Sequence, residues 1–345
     1  MVEPKNIFIL RNNDLGDVLV VTPLIIGLKK SFPNSRISVG VGKWARPLLE
    51  NNPSIDEIIS CNAPWHNKQN CRFPANSPKT FLEGILYVLF SKEAHYLFKK
   101  KFTHGIDVLG SRQGAWLLAR AMIPIRLGVK GYAGGDNWCH HCTEFKLDRN
   151  VAESGLAFLR LMKANLNIEP RPIIRLYTHE IAKAESIWGD KPPNIRRIII
   201  APGGGFPEKC WGDQNYTRLT KLLLKTDCIQ ICIIGSDEDK KRVCISDSSR
   251  VLNFCGKLSL RESAAMVSKA DFVLSNSSLP MHLAGAFKIP SLTLLGNWYE
   301  SAELHQKQWG YEGGLILGKE RHKGTDQILT VEDAFKVFQQ FMKNA

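Results

Sequence analysis

The chain has 345 residues, 44% hydrophobic and 23% charged, a balance that places it among ordinary globular proteins of about two domains. Its opening "MVEPKNIFIL" lacks the apolar core and cleavage site of a secretory signal, and its most apolar run, "FLEGILYVLF", is half a membrane span and carries Glu83. The net charge of +13 favours an anionic partner (nucleic acid, an anionic membrane face or a phosphorylated substrate) without choosing among them.

The first half alternates strand and helix signals. "NIFILR" predicts a strand, and "GDVLVVTPLIIGLKKSF" a helix in which Pro23 sits near the first turns or makes a kink. "RISVGVG", "DEIIS", "GIDVLG" and "PIRLGV" predict further strands. Residues 61–79, rich in Asn, Pro and basic side chains, read as a long surface loop, a kind often functional. An apolar–basic helix is expected from Thr80 to Lys101. "CHHC" at Cys139 to Cys142 has metal-like spacing but no second pair, so it is read as loop, with no metal bound. Nine cysteines in a chain without export signals read as reduced cytoplasmic thiols.

A second set follows a helix ending near Trp188 and the break "KPPN". "RRIIIAPGGG" is a buried strand entering a glycine turn. Then come the helix "DQNYTRLTKLLLK", the strand "IQICIIGS", the segment "RESAAMVSKA", the strand "DFVLSNSS", a helix through "MHLAGAF" and the strand "PSLTLLG". "TVEDAFKVFQQFMKN" is a terminal amphipathic helix with Val331, Ala334, Phe335, Val337 and Phe338 near one face. Strands alternating with helices predict an α/β chain of two Rossmann-like domains, 1–175 and 176–345, with a cleft between the carboxyl ends of their sheets.

Four turns could carry chemistry. In "APGGGFPEKCW", Gly203, Gly204 and Gly205 would let backbone N–H groups approach an anion, with Lys209 supplying charge; a plain tight turn with a surface lysine fits equally well. In "SNSSLPMHLAG", Ser277 or Ser278 would cap a helix whose N-terminus attracts anions, and His282 would reach a phosphate oxygen, or simply pack. The acids of "IIGSDEDKK", Asp239 among them, would take ribose hydroxyls or serve as a solvated helix start. The first turn differs. A dinucleotide site needs G-x-G-x-x-G and an acid after the second strand, whereas "RNNDLGDV" has one glycine and "RISVGVGKW" no acid. Asp17 there would repel phosphates; it fits a base acting on a hydroxyl, or a charge serving only the helix dipole.

Together, "RNNDLGDVLVVTPLIIGLKKSFPNSRISVGV", "GIDVLGSRQGAWLLARAMIPIRLGVKGY", "PGGGFPEKCWGDQNYTRL" and "NFCGKLSLRESAAMVSKADFVLSNSSLPMHLAGAFKIPSLTLLG" resemble the family nine glycosyltransferases, the lipopolysaccharide heptosyltransferases, in order and over most of the chain. The resemblance implies a GT-B fold with an N-terminal acceptor domain and a C-terminal nucleotide-sugar domain. The family's general base falls on Asp17 and its phosphate-binding lysine on Lys209, beside Gly204 and Gly205. Its adenine-side position falls on Leu258, and a second diphosphate contact on Ser278, Leu279 and His282. The family commonly reads Asn-Asp-Ser-Gly or Val-Asp-Thr-Gly before Leu-x-His; here Ser277 stands for the carboxylate and Leu279 for the glycine. "LLGNWYES" also departs from the usual Gly-Pro-Thr.

The expectation is an inverting, metal-independent, cofactor-free transferase. It would use an ADP-heptose-like nucleotide sugar and a lipid-linked or phosphorylated glycan acceptor, in the cytoplasm at the inner membrane face. The alternatives are a transferase with another nucleotide-sugar donor, an epimerase of the two-Rossmann class, and a non-catalytic anion- or nucleic-acid-binding protein. No nucleic-acid motif is present.

Overall fold

The computed structural model describes residues 4–74, 77–164, 166–245, 249–321 and 329–344. The chain divides into two compact units, Met1–Arg175 and Leu176–Ala345. The first holds the strands β1 (Asn6–Leu10), β2 (Arg36–Val41), β3 (Glu57–Ser60), β4 (His104–Asp107), β5 (Ile125–Lys130) and β6 (His141–Glu144). Its helices are α1 (Leu15–Leu19), α2 (Thr22–Ser31), α3 (Pro78–Phe90), α4 (Lys92–Lys99), α5 (Arg112–Arg120) and α6 (Val151–Leu161). The second holds β7 (Arg196–Ala201), β8 (Ile229–Ile233), β9 (Val251–Asn253), β10 (Phe272–Ser275), β11 (Ser291–Leu294) and β12 (Gly314–Leu317). Its helices are α7 (Thr178–Trp188), α8 (Asp213–Leu223), α9 (Leu260–Ser268), α10 (Leu279–Phe287), α11 (Ala302–Trp309) and α12 (Val331–Asn344).

The sheet orders are β3-β2-β1-β4-β5-β6 and β12-β11-β10-β7-β8-β9, every pairing parallel. Both are Rossmann orders, so each sheet reverses direction once: between β1 and β4, and between β7 and β10. The crevice beyond the strand ends at such a reversal is where open α/β sheets hold ligands.

Pleating sorts β1 between two layers. Ile7 and Ile9 face the core under α2 and α6, while Phe8 and Leu10 face the one under α4 and α5. In the second unit Ile198 and Ile200 join Tyr216 and Leu219 of α8 and Ala334 and Phe338 of α12. Phe338 is fully buried, its ring 5.2 Å from that of Phe272. Burying a side chain of that size contributes roughly 2–3 kcal/mol, which is what secures the terminal helix.

The first expected helix is two. Pro23 has no N–H to bond back to Leu19, and its ring would crowd that carbonyl, so α1 ends and α2 restarts with Pro23 in its first turn. Thr22 Oγ1 donates instead to the Leu19 carbonyl at 2.7 Å. The helix expected from Thr80 to Lys101 likewise splits at Ser91, which takes extended backbone and caps α4 through the Ala94 N–H. The described part of the expected surface loop is not loose: Trp65 is fully buried within it. Nor is "CHHC" all loop, since His141 and Cys142 begin the edge strand β6. No described helix is long and apolar enough to cross a membrane.

Candidate functional site

At the carboxyl end of β1, residues 11–17 turn into α1. Arg11 is buried and donates from Nη2 to Asp17 Oδ1 at 2.7 Å and from Nε to the Asp17 carbonyl at 3.3 Å. Asp17 is 28% exposed, and its Oδ2 makes no hydrogen bond among the described residues. One oxygen is held by the arginine and the other is not.

The turn is fastened to the segment after β3. Asn12 Nδ2 donates to the Trp65 carbonyl (3.0 Å), Asn13 Nδ2 to that of His66 (2.8 Å), and Lys68 N–H to Asp14 Oδ1 (3.0 Å). His66 stands at φ 53, in the left-handed region. Desolvation and then the Arg11 charge hold its imidazole below the ordinary value. Across the reversal, Asp107 ends β4 fully buried, accepting from Leu109 N–H, Ser111 N–H and Ser111 Oγ–H. Burial pushes its carboxyl up to about 6 against those bonds. Arg11, His66 and Asp107 were missed from the sequence. The acid ending "GID" before a Ser-started helix was the available signal for Asp107.

In the second unit the candidate residues gather at the β7–β10 reversal. Asn276, fully buried just past β10, spans the gap. Its Nδ2 donates to the carbonyls of Pro202 (2.6 Å) and Gly203 (3.2 Å), and its Oδ1 accepts from Trp211 N–H (2.9 Å) and Tyr216 O–H (3.2 Å). Gly203 and Gly204 are required by packing. A Cβ at Gly203 would lie 2.4 Å from the Asp239 carboxylate, and one at Gly204 2.7 Å from Cys210 Sγ. Gly205 is exposed at the tip.

Lys209 ends the 3-10 turn Pro207–Lys209. Its Nζ lies 4.5 Å from the Trp298 ring centroid, 4.9 Å from Phe206 and 5.9 Å from Tyr299. The aromatics arrive because the loop after β11 is stitched to the lysine's turn: Gly296 N–H donates to the Lys209 carbonyl (3.2 Å) and Trp298 N–H to that of Glu208 (3.0 Å). Thus the departure "GNWYES" supplies two of the three rings around Lys209.

Ser277 follows Asn276, and its Oγ lies 2.7 Å from His305 Nε2 on α11. Burial, then the charges of His282 and Lys209, depress His305 to about 3, leaving it neutral at ordinary pH. Burial raises the Tyr299 hydroxyl, offset in part by its bond to Ser277. Ser278 is the N-cap of α10 as expected, but its hydroxyl makes no cap bond. Leu279 is the first residue of the helix, and Pro280 beside it has no N–H. His282, buried one turn further, has Nδ1 2.7 Å from the Tyr311 hydroxyl.

Two expected ligands stand differently. Asp239 is buried: Oδ2 accepts from Ser236 N–H (2.8 Å) and Oγ–H (2.7 Å), and Oδ1 pairs with Arg242 Nε at 2.7 Å. Its carboxylate shapes the turns at Gly203 and Gly235, and both of its oxygens have partners within the protein. Asp237 and Glu238 beside it are exposed. Leu258 is half-buried in the turn between β9 and α9, which joins the same rim through Gly256 N–H to the Gly235 carbonyl at 3.0 Å. Cys139 and Cys142 both lie over Gly128, their thiols raised by burial, Cys139 to about 12. Among the described residues no group of three or more His, Cys, Asp or Glu is placed to hold a metal ion.

Residues 91–302 match the family model described as glycosyltransferase family 9 (heptosyltransferase). The chain is 24% identical over 312 residues to lipooligosaccharide heptosyltransferase 2 of Haemophilus influenzae, spanning 84% of this chain and 83% of that protein. It superposes on the structure of E. coli ADP-heptose lps heptosyltransferase II with a TM-score of 0.72 at 18% identity, over 99% of this chain and 100% of that one. On the crystal structure of the glycosyl transferase family 9 from Veillonella parvula the TM-score is 0.76 at 18% identity, over 99% and 98%. These likenesses establish the fold as that of the GT-B glycosyltransferases.

Proposed function

The chain belongs to glycosyltransferase family 9, and on that footing we propose that it moves a heptose from ADP-heptose to a lipopolysaccharide core or similar glycan, with inversion. Support for the donor class comes from the relatives' own names and from one observation above the rest. The glycine turn, Lys209 and the start of α10 converge at the β7–β10 reversal, an arrangement suited to a diphosphate. The second unit is assigned to the nucleotide sugar and the first to the acceptor.

In this reading Asp17 Oδ2 takes the proton of the acceptor hydroxyl as its oxygen attacks the anomeric carbon. The bond from that carbon to the phosphate oxygen breaks, and its electron pair leaves with the diphosphate. Lys209 and backbone N–H groups at the turn and at α10 neutralise the departing charge, a task given elsewhere to a metal ion. One displacement inverts the anomeric centre. In the same reading the acceptor is lipid-linked or phosphorylated and the protein works in the cytoplasm, peripherally at the inner membrane face, a surface that the +13 charge favours.

A second donor has one specific observation behind it: the sugar-side position carries Ser277 bonded to a neutral His305 in place of a carboxylate. Calorimetric titration with ADP, ADP-heptose and other nucleotide sugars, followed by product analysis with a core-glycan acceptor, tests both readings. Transfer from ADP-heptose supports the first and selective transfer of another sugar the second. Conversion of a nucleotide sugar without any acceptor would overturn both.

A further inference from the structure

Helices α3 and α4 turn the wrong side outward for a water-facing surface. On α3 the buried positions are Thr80, Gly84 and Val88, while Leu82, Leu86, Leu89 and Phe90 face solvent, Leu82 by 56% and Phe90 by 77%. Tyr96 and Phe98 of α4 are also exposed, among Lys92, Lys99 and Lys101. A helix on the outside of a globular unit ordinarily carries its charges on that face.

The acids of this hairpin are withdrawn from it. Glu93 accepts from Asn62 N–H (2.9 Å), Asn62 Nδ2 (2.6 Å) and the Tyr87 hydroxyl. Glu83 keeps Oε2 out of contact with solvent and has Arg72 Nη1 at 3.9 Å. Lys100 is tied to Glu57 at 2.7 Å. What faces outward is aliphatic, aromatic, His95 and lysine.

We propose that this face docks on an anionic lipid bilayer, with Leu82, Leu86, Leu89 and Phe90 set below the headgroups and the lysines against lipid phosphates. The proposal rests on the reading above, in which this unit meets a lipid-linked acceptor, and names the surface that brings it there. At 13 residues α3 is short; it measures about 20 Å, against a hydrocarbon core of about 30 Å, so it lies in the interface and does not span it. A second copy fits less well, because a two-fold contact sets these lysines against themselves with no outward acid to pair them. A duplex nucleic acid would use the lysines and leave the apolar stripe in water.

The test is flotation of the full chain with phosphatidylcholine vesicles, with and without phosphatidylglycerol. Wild type is expected to float with the anionic vesicles, the more so at low salt. L89D/F90D is expected to lower partition by about tenfold or more, and K99E/K101E to remove the salt dependence. Unchanged melting and unchanged ADP affinity show that each variant is folded. The proposal is overturned if wild type does not float, or if L89D/F90D floats like wild type. It is equally overturned if these substitutions abolish a concentration-dependent dimer and leave flotation intact, or if duplex DNA displaces the protein from vesicles. A chain that floats but takes no nucleotide sugar would defeat the function and keep the surface; one that transfers sugar without floating would do the reverse.

Discussion

Arg11 and Asp17 form an ion pair across the first strand–helix turn in which the arginine is buried and the aspartate is not. The pair engages one carboxylate oxygen and fixes the direction of the side chain. Asp17→Asn keeps an oxygen for Arg11 and removes the proposed base. It is expected to melt like wild type and bind ADP equally, with turnover lowered by roughly 10²–10⁴. Near-normal turnover by the Asn variant would remove Asp17 from the mechanism.

Lys209 is held by three aromatic rings at 4.5 to 5.9 Å. Lys209→Ala should weaken ADP binding by about 1.5–3 kcal/mol, the range of a charge-assisted hydrogen bond. Trp298→Ala, which only loosens the lysine, should cost about 0.5–1 kcal/mol. Calorimetry on both variants decides; equal affinity in all three proteins would exclude the role.

Ser277 offers a sugar one neutral hydroxyl, already engaged with His305. Charge-assisted bonds are roughly twice as strong as neutral ones, so wild type should discriminate poorly among donor sugars, or prefer one other than ADP-heptose. Ser277→Asp should sharpen selection by about 1 kcal/mol or more. A competition among ADP-heptose, other nucleotide sugars and ADP reads this directly; exclusive use of ADP-heptose by both proteins would show that another residue sets the donor.

His305 gives a pH dependence with a definite sign. Its folded pKa of about 3 lies below the ordinary 6.5, so the unfolded chain binds the extra proton between those values. Its contribution is fully present above 6.5, wanes as pH falls below that, and is lost by about 3. At pH 5 the deficit should be on the order of 1–2 kcal/mol. His305→Gln, which keeps a polar nitrogen toward Ser277, should melt with a shallower acid dependence; parallel pH curves for the two proteins would contradict the assignment.

Gly203→Ala places a methyl 2.4 Å from the Asp239 carboxylate. The strain should cost about 1–3 kcal/mol and weaken ADP binding by displacing the turn. Thermal melting with and without ADP checks both effects.

The long buried strands and their glycine turns were legible because an apolar run followed by Gly or Ser marks a strand end. Strands β6, β9 and β12 were not read: "HCTE", "VLN" and "GLIL" are only four, three and four residues long. Asp17 and Lys209 could be singled out from local pattern. Arg11, Trp298 and His305 could not, because their significance lies in partners brought near only by the fold. The partners of Asp239 were hidden for the same reason, since its oxygens bond Ser236 and Arg242, each three residues away.

The amide of Asn276 is fully engaged, holding the glycine turn through Nδ2 and the start of the α8 region, Trp211 and Tyr216, through Oδ1, at the point where the chain enters α10. Two backbone segments that a ligand would otherwise have to quiet are therefore already still before it arrives. Ordering loops and side chains is among the main costs of association, and here folding has met much of it in advance. The thermodynamic signature follows: a nucleotide diphosphate should bind with a small entropic penalty, and replacing the amide by a shorter side chain should raise that penalty even where every atom that touches phosphate is unchanged.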